Sequence, residues 1–309
     1  MIALPDVDSL MAGGLAQWLD GQVQLRAETR ARVFKIMACA FGAALIIAFF
    51  FFVAGLPPAL GIFLATVSFG LLSAYANSVR QKVVNNLKTE MNGALAKALS
   101  IDYSVGVSTG LEFQTAETYL LPSYDDSYFQ DQWHGSIEGT DFLLYEVRLT
   151  ETRGSGKDRR TVEVFKGVLL RFRFARPFLG TTLVKREGFK FTLFGDSKTF
   201  DGQALERIKM VDPKFEDAFD IYGSDPVEAR YLVHPAYCER LLDLERQFEG
   251  EQLRAVFKQG DLVLALETGN MFESASLKPE EDRERLGKTI GQFGSMVSLV
   301  QLLNERPRG

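Results

Sequence analysis

The sequence has few of the residues that most often carry catalysis or covalent cross-links. It contains two histidines, His134 and His234, and two cysteines, Cys39 and Cys238. Cys39 lies inside an apolar run and Cys238 in a helical pattern, so we expect no disulfide framework. This cysteine usage agrees with a cytoplasmic location for the folded part of the chain.

The chain also lacks an excess of positive charge. Its 35 Lys and Arg residues and 40 Asp and Glu residues give a net charge of −5 at pH 7. A general nucleic-acid-binding protein needs a basic face that neutralises phosphates, and no such face with interleaved aromatic residues is evident. The composition therefore argues against nucleic acid as a partner.

One long segment has no charge of either sign. No Asp, Glu, Lys or Arg occurs from Ile36 to Val79, and only the turn sequence Gly55-Leu56-Pro57-Pro58 interrupts this apolar run. Each half is long enough to cross the ~30 Å hydrocarbon core of a bilayer as a helix. A cleaved signal peptide is shorter, and a hairpin in a soluble core is not apolar all round. We therefore predict a transmembrane helical hairpin.

The charges that flank this hairpin predict its orientation. Basic residues precede the first span and follow the second, whereas the turn is uncharged; they are Arg26, Arg30, Arg32, Lys35, Arg80, Lys82 and Lys88. The positive-inside rule then places both termini in the cytoplasm. A row of small residues, Ala40, Ala44 and Ala48, is expected to contact the second span, with a neighbouring protomer as the alternative.

Periodicity beyond the hairpin predicts an α+β fold, in which an antiparallel, β-rich cytoplasmic domain with packed helices follows the transmembrane hairpin. The predicted segments are an N-terminal amphipathic helix (1–35), the hairpin (36–79), a juxtamembrane helix and linker (80–116), the α+β domain (117–275) and a C-terminal amphipathic helix (276–309). Strand composition recurs at 128–137, 142–150, 161–174, 181–184, 219–222, 253–257 and 262–266, and helices are predicted at 226–232 and 235–248.

The C-terminal helix carries an apolar stripe that runs from Leu286 to Leu303 in steps of three and four residues. Such a stripe predicts a face that packs against the core of the domain. A short coiled coil or a membrane-surface contact is the alternative.

None of the candidate catalytic or metal-binding motifs is complete. His234 lies four residues before Cys238, a spacing that suits a metal pair on a helix, but no third ligand is evident. Gly154-Ser155-Gly156-Lys157 departs from a phosphate-binding loop, because Asp158 and a strand follow it. The carboxylates lie in turn-like or surface contexts; they are Asp125, Asp126, Asp131, Glu216, Asp217 and Asp220. We therefore predict no catalytic residue, no metal and no cofactor, and a protein that is not an enzyme.

Two surface features remain as candidate sites. A basic group at a predicted hairpin tip consists of Arg153, Lys157, Arg159 and Arg160. This group either contacts anionic lipid or forms a solvated turn that binds no ligand. A second group lies at the start of a predicted helix and is either a structural joint or a groove for a partner; it consists of Asp225, Glu228, Arg230 and Tyr231.

The stretch from Phe215 to Leu232, together with Gly139-Thr140-Asp141-Phe142 and Val164-Phe165-Lys166-Gly167, resembles a bacterial membrane-protein family of unknown function, domain of unknown function three-one-three-seven. The resemblance covers roughly residues 35–270. It implies a bacterial inner-membrane protein with a cytoplasmic domain, and a LemA-like membrane protein as a candidate partner. The family has no established activity or catalytic residues.

These features predict an adaptor or assembly module that is anchored in the inner membrane and binds a protein partner or a second copy of itself. A lipid-sensing or envelope-maintenance module that contacts anionic lipid is the alternative, and a membrane-tethered enzyme is the third hypothesis. A transport pore is disfavoured because neither span carries an ionisable residue.

Overall fold

A computed structural model describes residues 4–174, 177–186, 197–200, 202–210 and 218–304, with the side chains of Lys157 and of 197–200 outside this description. The chain divides into two compact units. Of the described residues, a helical unit contains those within 6–94 and 273–286, and a sheet unit contains those within 4–5, 95–272 and 287–304.

The helical unit is built on two long helices. A short helix, α1 (Val7–Met11), precedes α2 (Gly14–Val53) and α3 (Pro58–Leu99). Gly55 ends α2 with a φ of +65°, a conformation that glycine adopts without strain, and Pro58 starts α3 at a position where its missing N–H costs nothing. Each helix therefore contains its apolar run and the adjoining polar segment without a break.

The small-residue row in α2 is buried only in part. Ala40 is buried, Ala44 is half-buried and Ala48 is exposed. Residues four apart turn about 40° around a helix, so a row with this fixed spacing drifts off the contact side. The close approach lies nearer the turn, where a Cβ on Gly61 would come within 2.6 Å of the Cβ of Phe51.

The sheet unit contains one antiparallel sheet, which has ten strands within the described residues, in the order β1-β2-β3-β4-β10-β9-β5-β8-β7-β6. The strands are β1 (Asp102–Ser104), β2 (Asp126–Ile137), β3 (Thr140–Arg153), β4 (Arg160–Arg173), β5 (Thr182–Arg186), β6 (Ser197–Phe200), β7 (Gln203–Arg207), β8 (Phe219–Gly223), β9 (Glu251–Lys258) and β10 (Asp261–Glu267). The helices are α4 (Leu111–Tyr119), α5 (Pro226–Leu232), α6 (Pro235–Gln247) and α7 (Asp282–Asn304), of which α7 begins in the helical unit. The predicted α+β class is confirmed.

Two of the hairpins close with two-residue turns. Glu138 and Gly139 have φ values of +50° and +76°, and Gln259 and Gly260 have values of +52° and +91°. Positive φ at both central residues is typical of the type I′ turn, whose twist matches that of the flanking strands. The strands predicted at 128–137 and 142–150, and those predicted at 253–257 and 262–266, are therefore joined as hairpins by these turns.

Helices cover both faces of the sheet. On one face, α4 and the following segment pack against Tyr145, Phe165 and Val256 in the main hydrophobic cluster. On the other face, the ring of Tyr237 in α6 lies 5.3 Å from that of Phe257, and the ring of Phe293 in α7 lies 5.0 Å from that of Trp133. The apolar stripe of α7 is thus core-facing, as predicted.

Residues 101–116, expected to be a linker, contain β1 and the start of α4. β1 pairs with β2 through Asp102–His134, Tyr103–Trp133 and Ser104–Gln132. The sequence of this segment is rich in Ser, Thr and Gly, so its order depends on pairing with β2 rather than on local propensity.

Candidate functional site

The most distinctive surface is the apolar part of α2 and α3. Ile46, Phe49 and Phe52 are 70%, 68% and 79% exposed. Of the most apolar stretch of each helix, 6% is buried in α2 and 17% in α3, and both helices are long and apolar enough to cross a membrane. A core helix of a soluble protein would bury such residues, so the two helices are candidate membrane spans.

Basic residues border this apolar surface at the end that is remote from the turn. Arg30, Arg32 and Lys35 on α2 are exposed, as are Arg80 and Lys82 on α3. The turn between the helices has no charged residue. All the exposed cations of the helix pair that border the apolar run therefore lie at the end opposite the turn.

Ion pairs tie the segment 273–286 to α2 and α3 within the helical unit. Nη1 of Arg26 lies 2.5 Å from Oδ2 of Asp282, and both side chains are buried. Nζ of Lys88 lies 3.2 Å from Oε1 of Glu273. Burial raises the pKa of Asp282, although its hydrogen bond with Arg26 opposes the shift. The pair thus holds the start of α7 against α2 at the cost of burying two charges.

The predicted basic group lies at the tip of the β3–β4 hairpin. Arg153 and Arg160 stand opposite each other at the last pair of the ladder, and both are exposed, as is Arg159. Nε of Arg153 donates to Glu151 at 2.7 Å. The side chain of Lys157 lies outside the described part of the structure. The tip therefore brings at least three cations together on a solvent-exposed turn.

Asp225 and Glu228 organise the start of α5. The carboxylate of Asp225 accepts hydrogen bonds from the N–H groups of Val227 and Glu228 and so caps the helix. The carboxylate of Glu228 accepts from the N–H groups of Leu179 and Gly180, at 2.8 and 2.6 Å. Both side chains therefore satisfy backbone donors, and Glu228 joins α5 to the chain before β5.

The other two residues of this group contact different neighbours. Nε of Arg230 donates to the carbonyl of Lys209 at 3.5 Å. Tyr231 lines a cavity of about 20 Å³ with Phe178, His234 and Leu303. That volume suits one water molecule rather than a side chain of a partner.

The candidate metal and carboxylate residues are dispersed. His134 lies on β2, 3.7 Å from Asp102, whereas His234 and Cys238 are buried at the start of α6. Asp131 is buried and accepts a hydrogen bond from the hydroxyl of Tyr103 at 2.6 Å. Within the described residues, no three His, Cys, Asp or Glu side chains form a group that suits a metal ion. Glu216 and Asp217 lie outside the described residues.

Two adjoining grooves on the sheet unit share Lys166 and Gly269 in their walls. One, of about 480 Å³, is lined mainly by Tyr128, Gln130, Glu146, Arg148 and Asn270. The other, of about 420 Å³, is the acidic groove; its charged lining residues are Glu163, Lys166, Glu249, Glu251 and Glu267. The acidic groove runs beside β4 where β10 has ended, because β10 pairs with β4 only from Gly167 onward.

The carboxylates of the acidic groove differ in their partners. Glu267 pairs with Arg254, a buried residue of β9, and Glu249 pairs with Lys288 at 2.5 Å. Burial lowers the pKa of Arg254 to about 10, with Glu267 opposing the shift. Glu163 and Glu251 are exposed and form no ion pair within the described part of the chain. The groove therefore keeps two carboxylates available to a ligand.

Sequence reasoning missed the acidic groove and the Arg26–Asp282 pair. The partners of that pair are 256 residues apart, and the groove combines the start of β9 with β4 and the end of β10. No local pattern marks such contacts. The one available signal is the run Glu249-Gly250-Glu251, where glycine sits between two acidic residues just before a predicted strand.

These features define a class of protein, an antiparallel α+β domain that carries two long apolar helices. Within that class, residues 163–305 match the model of the family described as protein of unknown function, DUF3137. The match confirms the resemblance noted from the sequence over those residues. It begins inside β4, so α2 and α3 lie outside it.

A comparison with curated proteins found no match. Among solved structures, the chain is similar to the crystal structure of the mycobacterial trehalose monomycolate transport factor A, TtfA, with a TM-score of 0.36 and 12% sequence identity. The similarity covers 72% of this chain and 98% of that one. A likeness of this strength transfers no function.

Proposed function

We propose that this protein is a non-catalytic adaptor, anchored in the bacterial inner membrane by α2 and α3, whose sheet unit binds a protein partner or a second copy in the cytoplasm. The observation that carries the proposal is the exposed, charge-free surface from Ile36 to Val79. Apolar side chains at the centre of a span favour the bilayer by roughly 0.3–0.6 kcal/mol each. The exposed side chains along two helices together provide a stable anchor.

The proposed orientation rests on the exposed cations. Arg30, Arg32, Lys35, Arg80 and Lys82 lie at one end of the apolar surface, and the positive-inside rule assigns that end to the cytoplasm. Both termini then share one compartment with the sheet unit. The turn has no lysine or arginine that would retain it on the cytoplasmic side.

Chemical cross-linking of the intact protein in native membranes tests the adaptor role. We expect a discrete cross-linked species of fixed size, containing either one partner or a second copy, because an adaptor occupies a defined complex. The control is a double variant, Ile46→Asp with Phe49→Asp, which adds roughly 6 kcal/mol to the cost of insertion and should lose both the anchor and the species. If no cross-linked species forms with cross-linkers of any length, the proposal is contradicted.

A second candidate function, contact with anionic lipid, is favoured by the basic group at the tip of the β3–β4 hairpin. Each basic residue near an anionic surface contributes about 1 kcal/mol. A donor dye on Ser155→Cys in the reconstituted protein should transfer energy to an acceptor in the bilayer, more so with anionic than with zwitterionic lipid. Adding Arg159→Glu and Arg160→Glu should remove the difference; equal transfer in both lipids with the native tip rules the contact out.

A further inference from the structure

The exposed edge of β4 beside the acidic groove has the features of a peptide-binding site. We propose that this edge, from Arg160 to Phe165, binds an extended, basic segment of a partner protein as an additional antiparallel strand. This inference rests on the proposed adaptor function, because it names the surface that binds the partner and the chemistry that the partner must have.

The binding site is a vacant position in the sheet. β3 pairs with β4 from Arg160 to Arg173, with a register shift that skips Val164, whereas β10 pairs with β4 only from Gly167. β10 ends at Glu267, and the N–H of Thr268, the next residue, donates to the carbonyl of Lys166 at 3.0 Å. A guest strand beside residues 160–165 would continue the line of β10 for about 20 Å, at ~3.4 Å per residue.

An open strand edge offers main-chain donors and acceptors to any extended chain. Strand addition gains its affinity from these hydrogen bonds and its specificity from side chains on alternate positions. The outermost strands of the sheet are shorter, with 3 residues in β1 and 4 in β6. The β4 edge is longer, and it forms one wall of a groove that a guest can enter.

Two exposed carboxylates beside the middle of this edge favour basic side chains on the guest there, whereas Arg160 lies at the end of the edge next to the hairpin tip. Glu163 lies on the edge itself, and Glu251 lies on the facing wall of the acidic groove; both are exposed. Opposite charges on adjacent strands stabilise a pair, and like charges destabilise it. Val162 is half-buried and suits an apolar side chain of the guest, whereas Val164, which the β3–β4 register skips, packs against the main hydrophobic cluster of the domain.

A second copy of the chain fits this edge less well than a basic partner. Two β4 edges paired about a two-fold axis at Glu163 would place the two Glu163 carboxylates opposite each other, and a register shifted toward the tip would place Glu163 opposite Arg160, the one cation of residues 160–165. This repulsion is absent when the guest carries lysine or arginine at that position. A partner with several basic residues can meet both Glu163 and Glu251, which a second β4 edge with a single cation cannot, so we assign the site to a different protein.

A model peptide tests the proposal on the full-length protein in non-ionic detergent. A labelled peptide of alternating lysine and valine should bind, as measured by fluorescence anisotropy, and its glutamate–valine counterpart should not. Glu163→Lys should weaken binding about tenfold, because it replaces an attraction by a repulsion. The matched control, Glu239→Lys, changes an exposed glutamate on α6 and should leave binding unchanged.

Hydrogen exchange separates strand addition from loose electrostatic association. Saturating lysine–valine peptide should slow the exchange of amides in residues 160–165, and a peptide with proline at every third position should give no protection. Protection elsewhere, equal binding by Glu163→Lys, or a dimer that Glu163→Lys abolishes would each overturn the proposal. If the lysine–valine peptide does not bind but the cross-linked species still forms in membranes, the β4 edge is not the binding site and the adaptor role stands. If the peptide does not bind and no cross-linked species forms, the adaptor role is contradicted as well.

Discussion

At the scale of the residue, Gly167 shows how the absence of a side chain determines where two strands meet. It pairs with Glu267 at the end of β10, and a Cβ at this position would lie 1.9 Å from the carbonyl oxygen of Leu266. The obstacle is backbone, which cannot rotate away as a side chain can. Glycine here allows β10 to approach β4 and then end, which leaves the acidic groove beside it.

We predict that Gly167→Ala destabilises the sheet unit by about 3 kcal/mol, because β10 must move to admit the methyl group. The measurement is urea unfolding of the full chain in detergent, followed by the fluorescence of Trp133, which is fully buried. Gly106→Ala is the control, since a Cβ at Gly106 meets no atom within 4 Å. Equal midpoints for the two variants would show that the close approach is unimportant.

The Arg26–Asp282 pair is the second residue-scale feature. Only Nη1 of Arg26 forms a hydrogen bond in the described structure, and both charges are buried. A buried pair gains little relative to apolar residues of similar size, but the loss of one partner leaves a charge without compensation. The pair therefore specifies a position for the start of α7 more than it adds stability.

We predict that Asp282→Ala costs about 3–5 kcal/mol in the free energy of unfolding, whereas Arg26→Met combined with Asp282→Leu recovers most of that loss. The comparison is Asp261→Ala, which removes the partner of the more exposed Arg173 and should cost less than about 1 kcal/mol. Urea unfolding measures all three variants. An Asp282→Ala cost no greater than that of Asp261→Ala would contradict this interpretation.

At the scale of the element, the contact between α2 and α3 is set near the turn. Gly61 lies against Phe51, whereas Ala48 is exposed. Association of helices in a bilayer depends on close packing of small residues, because lipid is as apolar as the side chains. The glycine is therefore more important to the helix pair than the alanine row.

We predict that Gly61→Leu destabilises the helix pair by about 1–3 kcal/mol through overpacking against Phe51. Gly70→Leu introduces the same side chain on the same helix, where a Cβ meets no atom within 4 Å, and should have little effect. Thermal melting of the purified chain in detergent, followed by circular dichroism, compares the two. Identical melting temperatures would mean that the helices do not pack through Gly61.

The elements that the sequence predicts well have strong local signals. The Glu138-Gly139 and Gln259-Gly260 turns mark hairpins, Pro226 and Pro235 mark helix starts, and the stripe of α7 marks its buried face. β1 and the β6–β7 hairpin have no comparable signal, because three to five residues carry too little periodicity. Their structure depends on pairing with strands that are distant in sequence.

At the scale of the whole molecule, the class of the fold follows from composition and periodicity, but the candidate sites do not. The basic group at the β3–β4 tip and the Asp225–Glu228 joint were found because their residues are close in sequence. The acidic groove was missed because Glu163 and Glu251 belong to strands separated by β10 in the sheet. Only the order of the strands brings them to one surface.

The central claim is that α2 and α3 form a membrane hairpin with both termini and the sheet unit on the cytoplasmic side. Labelling with a membrane-impermeant maleimide in intact cells tests it most directly, since Cys39 lies within the proposed span and Cys238 is buried. We predict that Gly55→Cys is labelled from outside the inner membrane and that Ser155→Cys is labelled only after the membrane is permeabilised. Labelling of both variants from the same side, or release of the chain from membranes by alkaline carbonate, would contradict the claim.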